Sequence, residues 1–290
     1  MKFDAKTILV LLFLGFVWGS AFILMKKGLE SFTSLQVASL RLVFAGSVAV
    51  FFFFRVYKTL AKKDWYFLAL SGTLGNLLPA YLFASAGADI PSSLSGALNA
   101  TTPLFALIFG VVLFSQLFTF RQVAGIGIGL IGALTLILTK SSEGITFETD
   151  YILPCLKVVL AALFYGINVN IIKSKLNHLT PIINSMVPLT LISIPALIVG
   201  LSTGTVQAAM RPEAGESLLY IMILGVIGSA VSLIVFNQLV QKTTALFAAS
   251  VTYLIPVFAY MWGIIMGEPI GIFQISGMLL ILGGITLTKK

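Results

Sequence analysis

The chain has 290 residues, of which 58% are hydrophobic and only 10% are charged, and its formal net charge is +8. Soluble domains usually contain about 25% charged residues, so this composition excludes an ordinary water-soluble globular domain and predicts a protein whose solvent is the lipid bilayer. The basic residues lie in short segments between long apolar runs, which indicates topology signals and no nucleic-acid partner.

Ten apolar runs follow one another along the chain, and each is long enough for a membrane-spanning helix, which needs about 20 mostly apolar residues. The loops between them are short, so there is no room for a soluble catalytic or nucleotide-binding domain, and any transport must draw on a gradient. The sequence therefore predicts an all-α membrane protein with ten transmembrane helices. In chain order they cover residues 7–25, 35–54, 65–87, 92–114, 121–138, 152–172, 181–201, 217–239, 244–266 and 270–288.

The distribution of basic residues predicts the orientation of these helices. If ten helices alternate from a cytoplasmic N-terminus, 12 of the 18 lysines and arginines fall on the cytoplasmic side and 5 on the other, while Arg41 lies within a helix. Cytoplasmic loops of membrane proteins carry an excess of lysine and arginine. We therefore expect both termini to lie in the cytoplasm; the membrane is expected to be a bacterial inner (plasma) membrane.

The two halves of the sequence resemble each other. The segments TTPLFALIFG (101–110) and LIPVFAYMWG (254–263) share Pro, Phe, Ala and Gly at a constant offset of 153 residues. Nearer the start of each half, Trp18 and its following glycine align with Tyr165 and its following glycine at an offset of 147. Matches at fixed offsets predict an internal repeat.

This repeat predicts the domain organisation. Residues 1–140 form a first five-helix repeat, residues 151–290 a second, and residues 141–150 the loop that links them. An odd number of helices in each repeat inverts the second repeat in the membrane. Inverted repeats are typical of secondary transporters, whose substrate site lies near the midplane between the halves.

Several segments in a fixed order resemble the EamA-type permeases of the drug/metabolite transporter superfamily. They are FVWGSAFILMKKGL (16–29), SLRLVFAG (39–46), the helix around Pro103 and IPVFAYMWGIIMGEPIGIFQISGMLLILGG (255–284). The resemblance covers nearly the whole chain and implies export of small organic metabolites; amino acids, nucleosides, vitamins and cationic drugs all occur as substrates in that family. The family usually has an acidic residue after the fourth and the ninth helix. Glu268 matches the second of these, but Ser115 occupies the first.

Polar and aromatic side chains inside the predicted spans are the candidates for a substrate site, because a polar group in a lipid-embedded bundle is costly unless it faces a cavity or a partner. Arg41 could bind a substrate carboxylate; alternatively it extends to the membrane surface or bonds to carbonyls at a helix end. The candidate substrate-binding residues are Trp18, Arg41, Asn76, Tyr81, Asn99, Thr102, Pro103, Tyr165, Asn168, Thr252, Tyr253 and Pro256.

The two repeated prolines are the best pointer to this site. A proline in a helix frees the carbonyl four residues earlier, here that of Asn99 before Pro103 and that of Thr252 before Pro256. The freed carbonyls need a new partner, either water or substrate, unless the prolines only kink the helices for packing. Trp18 and its counterpart in the second half could stack on an aromatic or cationic ligand, or act as interfacial anchors.

Catalytic and metal-binding residues are scarce. The chain has one cysteine, Cys155, and one histidine, His178, and no acidic residue lies deep in a predicted span. We therefore expect no cofactor, no metal and no enzyme activity. The leading interpretation is a secondary carrier for a small metabolite that works by alternating access; an intramembrane enzyme and a passive channel-like facilitator are the alternatives. Glycines in the fifth and tenth predicted helices favour close packing or a homodimer surface.

Overall fold

Every regular element that the structure describes is helical. The structure is a computed structural model that describes residues 5–90, 92–138, 152–265 and 272–288. The all-α fold class is therefore confirmed over these ranges. The predicted linking loop at 141–150 and the Glu268 turn lie outside the described residues.

The described ranges contain fifteen α-helices, six of which are joined in three pairs by short turns of other helix types. The α-helices are α1 Ala5–Gly28, α2 Ser34–Val56, α3 Lys62–Gly72, α4 Leu78–Gly87, α5 Ser92–Asn99, α6 Thr102–Phe114, α7 Phe120–Leu138, α8 Ile152–Lys175, α9 Pro181–Ser202, α10 Thr205–Ala209, α11 Ala214–Gly225, α12 Ser232–Lys242, α13 Ala245–Ala249, α14 Leu254–Ile265 and α15 Ile272–Thr288. Two π-helical turns, Thr73–Leu77 and Val226–Val231, join α3 to α4 and α11 to α12, and a 3₁₀ turn, Ser250–Tyr253, joins α13 to α14.

Six continuous helical segments of the described residues are long and apolar enough to cross a membrane. They are Ala5–Gly28, Ser34–Thr59, Lys62–Gly87, Ile152–Lys175, Pro181–Ser202 and Ala214–Lys242. These six coincide with predicted spans one, two, three, six, seven and eight. Shorter apolar helical stretches occupy the four remaining predicted spans, at Thr102–Phe114, Phe120–Gly132, Ala245–Phe258 and Ile275–Thr288. The count of ten transmembrane helices stays a prediction.

Large apolar side chains cover much of the outer surface of the bundle. Phe51, Phe54 and Ile198 are 73%, 68% and 62% exposed. In water, a surface with this many exposed phenylalanine, leucine and isoleucine side chains would favour aggregation. In a bilayer the same side chains contact lipid tails, so the surface fits a membrane environment.

Two of the predicted spans are broken beside the repeated prolines. The fourth is divided into α5 and α6, and Pro103 is the second residue of α6. The ninth is divided by the 3₁₀ turn Ser250–Tyr253, and Pro256 is the third residue of α14. A proline is tolerated in the first turn of a helix, where no backbone N–H is needed. Both prolines therefore begin a new helix after a break rather than bending a continuous one.

Glycines allow α7 and α15 to pack closely. A Cβ atom added to Gly125 would lie 2.8 Å from the carbonyl oxygen of Gly284, and one added to Gly132 would lie 2.7 Å from that of Gly277. Small residues at a helix contact let the two backbones approach in lipid. The close packing expected from the sequence thus occurs between these two helices of one chain, and the homodimer stays a prediction.

Gly284→Ala should destabilise the protein while Gly283→Ala should not. A Cβ at Gly284 would lie 2.6–2.7 Å from backbone atoms of Gly125 and Gly129, which cannot move without separating α7 from α15. Overpacking of this kind costs about 1–3 kcal/mol. Nothing lies within 4 Å of a Cβ at Gly283. Gly283→Ala therefore makes the same change in helix propensity as Gly284→Ala but causes no overpacking. Thermal unfolding in detergent measures the difference, and equal melting temperatures for the two variants would contradict this packing.

Candidate functional site

A cavity of about 100 Å³ lies between helices of the N-terminal and C-terminal halves of the chain. A water molecule needs about 10–15 Å³ of such space, so the cavity has room for several waters or for a small ligand. Eight of the twelve sequence-predicted residues line it, drawn from α1, α2, α5, α6, α8 and the turns between helices. They are Trp18, Arg41, Asn76, Asn99, Thr102, Tyr165, Asn168 and Thr252.

The other four predicted residues lie away from this cavity. Tyr253 is completely buried, and its hydroxyl donates a hydrogen bond of 2.9 Å to the carbonyl oxygen of Ile126 on α7. The hydroxyl of Tyr81 lies 2.8 Å from that of Ser39. Pro103 and Pro256 are buried near the starts of α6 and α14. These four residues shape the helices around the cavity, and their predicted contact with substrate stays a prediction.

Most of the lining consists of equivalent positions in the two halves. Sixteen of the lining residues form eight pairs that are separated by the same offsets, 147 or 153, that the sequence repeat has. The equivalence therefore extends from the sequence to the wall of one cavity. The pairs are Trp18 and Tyr165, Ala21 and Asn168, Phe22 and Val169, Gly75 and Gly228, Asn76 and Ser229, Phe83 and Phe236, Asn99 and Thr252, and Thr102 and Ile255.

The two π-helical turns bring four residues to the cavity. Gly75 and Asn76 lie in the turn Thr73–Leu77, and Gly228 and Ser229 lie in the turn Val226–Val231. A π turn inserts one extra residue into a helix, and such turns are frequent at functional sites. The turns stand 153 residues apart, so the same local distortion occurs in both halves and faces the same space.

Aromatic rings form two sides of the cavity. The rings of Trp18 and Phe236 have centroids 5.2 Å apart, and Tyr165 and Phe83 are stacked at 5.9 Å. The indole Nε1 of Trp18 also donates to the carbonyl oxygen of Gly228, at 3.2 Å, which holds the ring in place. Both ring pairs join a residue of one half to a residue of the other, and their members correspond in the repeat.

Sequence reasoning missed the apolar members of this wall. Ala21, Phe22, Phe83 and Phe236 line the cavity, but the sequence criteria, polar groups and one aromatic pair within apolar runs, do not select them. A signal was present: Phe83 and Phe236 are separated by the offset of 153 that relates the two prolines. Extending that alignment through the third and eighth spans would have identified them.

The carbonyl freed near Pro103 has a partner within the chain. The hydroxyl of Thr102 donates to the carbonyl oxygen of Asn99 at 2.7 Å and lies 3.3 Å from the side-chain oxygen of the same residue. In the other half, the hydroxyl of Thr252 donates to the carbonyl oxygen of Ala249 at 3.0 Å. Threonine hydroxyls thus satisfy carbonyls at both breaks. The sequence had suggested that the carbonyl of Asn99 needs water or substrate as a partner, but the hydroxyl of Thr102 fills that role.

Arg41 is the one charged side chain among the described residues that line the cavity. Its Nε donates to the hydroxyl of Ser229 in the second π turn, at 3.0 Å. The ion pairs seen in the described part of the chain lie elsewhere, between Lys27 and Glu30 and between Asp64 and His178. No carboxylate of the described lining therefore neutralises the guanidinium.

Asn168 provides a buried acceptor at the cavity. Asn168 is only 6% exposed, and its Oδ1 atom has no hydrogen-bond partner within the described ranges. A buried polar atom without a partner costs free energy that a bound donor would recover. No group of three histidine, cysteine or acidic side chains suited to a metal ion occurs among the residues described.

Comparisons with known proteins agree with this architecture. The model of the EamA-like transporter family matches residues 5–138 and again residues 152–289. A Salmonella typhimurium (strain LT2) protein named "Probable amino-acid metabolite efflux pump" is 23% identical over 278 residues, covering 93% of this chain and 90% of its own. An Escherichia coli K12 protein of the same name is 29% identical over 121 residues, covering 42% of this chain and 39% of its own.

The fold also occurs among solved structures. A crystal structure of another protein superposes with a TM-score of 0.76 at 14% sequence identity and covers 98% of this chain and 96% of its own. At this identity the likeness concerns the fold alone. It extends over nearly the whole of both chains, so the arrangement of helices around the cavity belongs to an established fold.

Proposed function

Since the chain belongs to the EamA-like transporter family, we propose that it is a secondary transporter that exports small organic metabolites, such as amino acids or drug-like compounds, by alternating access. The observation that carries this proposal is the cavity whose wall is built from eight pairs of equivalent residues of the two halves. A site between two related bundles is where secondary transporters bind substrate. The relatives named as amino-acid metabolite efflux pumps favour amino-acid metabolites and the outward direction.

The proposed architecture has ten transmembrane helices in two inverted repeats, residues 1–140 and 151–290, joined by 141–150. Two separate family matches, one in each half, support the repeats. The shorter apolar helices at the four remaining spans support the count of ten. With 12 of 18 basic residues on one side, both termini are proposed to face the cytoplasm of a bacterium.

Alternating access needs contacts between the halves that can form and break. Around the cavity these contacts are single hydrogen bonds, such as Trp18 to Gly228 and Arg41 to Ser229. On the proposed cytoplasmic side, the Nε2 atom of His178 lies 3.0 Å from the carboxylate of Asp64, joining the segment after α8 to the start of α3. A neutral hydrogen bond contributes about 1 kcal/mol net and one to a charged group about 1.5–3 kcal/mol, so opening the cavity between the halves breaks few strong polar interactions.

Counterflow in proteoliposomes tests the proposal. The vesicles are loaded with a metabolite mixture and exposed to the same mixture with traces of labelled compounds. Saturable counterflow of at least one compound is the expected result, because a carrier exchanges substrate across its two states. Flux that rises linearly with concentration would favour the channel-like facilitator, and chemical conversion of a compound would favour the enzyme.

Tryptophan at position 21 should abolish counterflow. Ala21 lines the cavity between Trp18 and Met25 of α1, so Ala21→Trp fills the space that substrate needs. The matched control is Leu12→Trp on the same helix, where the side chain is 44% exposed on the outer surface and a tryptophan contacts lipid. Counterflow that survives Ala21→Trp in a folded protein would contradict a substrate path through this cavity.

A further inference from the structure

The charge of the cavity restricts what it can bind. The guanidinium of Arg41 reaches the lining, where it donates from Nε to the hydroxyl of Ser229 at 3.0 Å. Among the described lining residues no aspartate or glutamate balances this charge. A buried charge without an opposite charge is costly, most of all within a membrane. A ligand that supplies a carboxylate removes this cost, and Arg binds carboxylates through paired N–H groups.

A second group of the cavity needs a donor. The Oδ1 atom of Asn168 is buried and has no partner within the described residues. An amide oxygen accepts a hydrogen bond from an ammonium or a neutral N–H but carries no charge. The Oδ1 atom therefore selects a ligand that has an N–H donor at this point, whether or not that nitrogen is charged.

These two groups interrupt the pairing of the wall. Asn168 corresponds to Ala21, which is apolar, and Arg41 has no counterpart among the lining residues. Aromatic rings also line the cavity, with Trp18 against Phe236 on one side. A cavity whose walls are otherwise near-equivalent, but whose charged group and unpartnered acceptor are not repeated, can hold an asymmetric ligand in one orientation.

We propose that the site selects carboxylic acids that carry an N–H group and an apolar or aromatic part. This inference rests on the proposed transport function. Arg41 holds the carboxylate, the Oδ1 atom of Asn168 accepts the N–H, and the ring pairs contact the apolar part. Because the acceptor is neutral, an N-acylated amino acid satisfies the site as well as a free amino acid does. Organic cations without a carboxylate find no anion and are excluded.

Four related probes test the selectivity of the full-length protein in proteoliposomes. They are N-acetyl-L-phenylalanine, L-phenylalanine, L-phenylalaninamide and 2-phenylethylamine, which share a ring and differ in the carboxylate and the amine. We expect saturable counterflow for the two acids and none for the amide and the amine. Equal counterflow of all four, or preference for the two compounds that lack a carboxylate, would overturn the inference.

Variants connect the selectivity to the two groups. Arg41→Gln should raise the half-saturation concentration for both acids about tenfold or more, since a charge-assisted pair is lost. Arg121→Gln, which removes an exposed arginine of α7 outside the cavity, should leave that concentration unchanged. Asn168→Asp places a carboxylate in the cavity and should lower flux of the acids while allowing flux of L-phenylalaninamide.

The outcomes separate this inference from the transport proposal. If the metabolite mixture shows saturable counterflow but neither acid probe moves, the transporter stands and the ligand class is wrong. If nothing in the mixture moves either, the transport proposal fails and the inference fails with it. Should Arg41→Gln not fold, the order of the four probes in the wild type and the gain of amide flux in Asn168→Asp still decide the question.

Discussion

Gly75→Ala is expected to remove most transport while the protein stays folded. A Cβ atom at Gly75, in the first π turn, would overlap the side-chain amide of Asn168, which packs directly against this glycine. That amide is the end of a flexible side chain, so it can swing away at small cost to stability. Its displacement carries the unpartnered Oδ1 atom out of the position where it faces the ligand. If this contact contributes about 1.4 kcal/mol to binding, its loss lowers the affinity for substrate about tenfold.

The repeat supplies the control for this experiment. Gly228 is the equivalent glycine of the second π turn, and a Cβ there would lie 3.2 Å from a methyl group of Leu224 and would touch no polar side chain. Gly228→Ala should therefore retain counterflow close to that of the wild type. Half-saturation concentrations measured side by side in proteoliposomes check both variants. If the two alanines impair transport equally, displacement of Asn168 is not the cause.

Tyr253→Ala is expected to have the largest effect on stability. The ring of Tyr253 is completely buried between the 3₁₀ turn and α7, where a Cβ at Gly129 would lie 2.6 Å from it. Truncating a buried aromatic residue to alanine costs about 3–5 kcal/mol. The carbonyl oxygen of Ile126 also loses its hydrogen bond from the hydroxyl. We expect a fall in melting temperature on the order of 10 °C in detergent.

Tyr253→Phe distinguishes a structural role from a role in substrate binding. This variant keeps the buried ring and removes only the hydrogen bond to Ile126, at a cost of about 1 kcal/mol. Since Tyr253 does not line the cavity, the half-saturation concentration for transport by Tyr253→Phe should match that of the wild type. A large change in that concentration with an unchanged melting temperature would return Tyr253 to the substrate site, as the sequence first suggested.

Equivalent positions of the two halves are expected to respond differently to the same substitution. Gly75 and Gly228 occupy equivalent places, yet only the first faces Asn168, because the residue equivalent to Asn168 is Ala21. A repeated backbone thus supports a site whose side chains are not repeated. Pairs of variants at equivalent positions are therefore informative controls throughout this protein.

The amino-acid sequence alone determined the membrane class, the positions of the six long helical segments and the similarity of the two halves. Hydropathy and fixed offsets are linear properties of a chain, so runs such as 7–25 and 217–239 could be recognised without a structure. The same offsets connected Trp18 with Tyr165, and both line the cavity. Polar residues within apolar runs were also identifiable because their burial in lipid needs a reason.

Only the tertiary structure decided which side of each helix faces the cavity. Thr252 and Tyr253 are neighbours in one 3₁₀ turn, yet the first lines the cavity and the second packs on α7. Phe83 faces the cavity and Phe51 faces outward, although both are phenylalanines within apolar runs. Lipid tails are as apolar as these side chains. Hydropathy therefore cannot distinguish a ring that contacts lipid from one that contacts a ligand, and helix packing makes that choice.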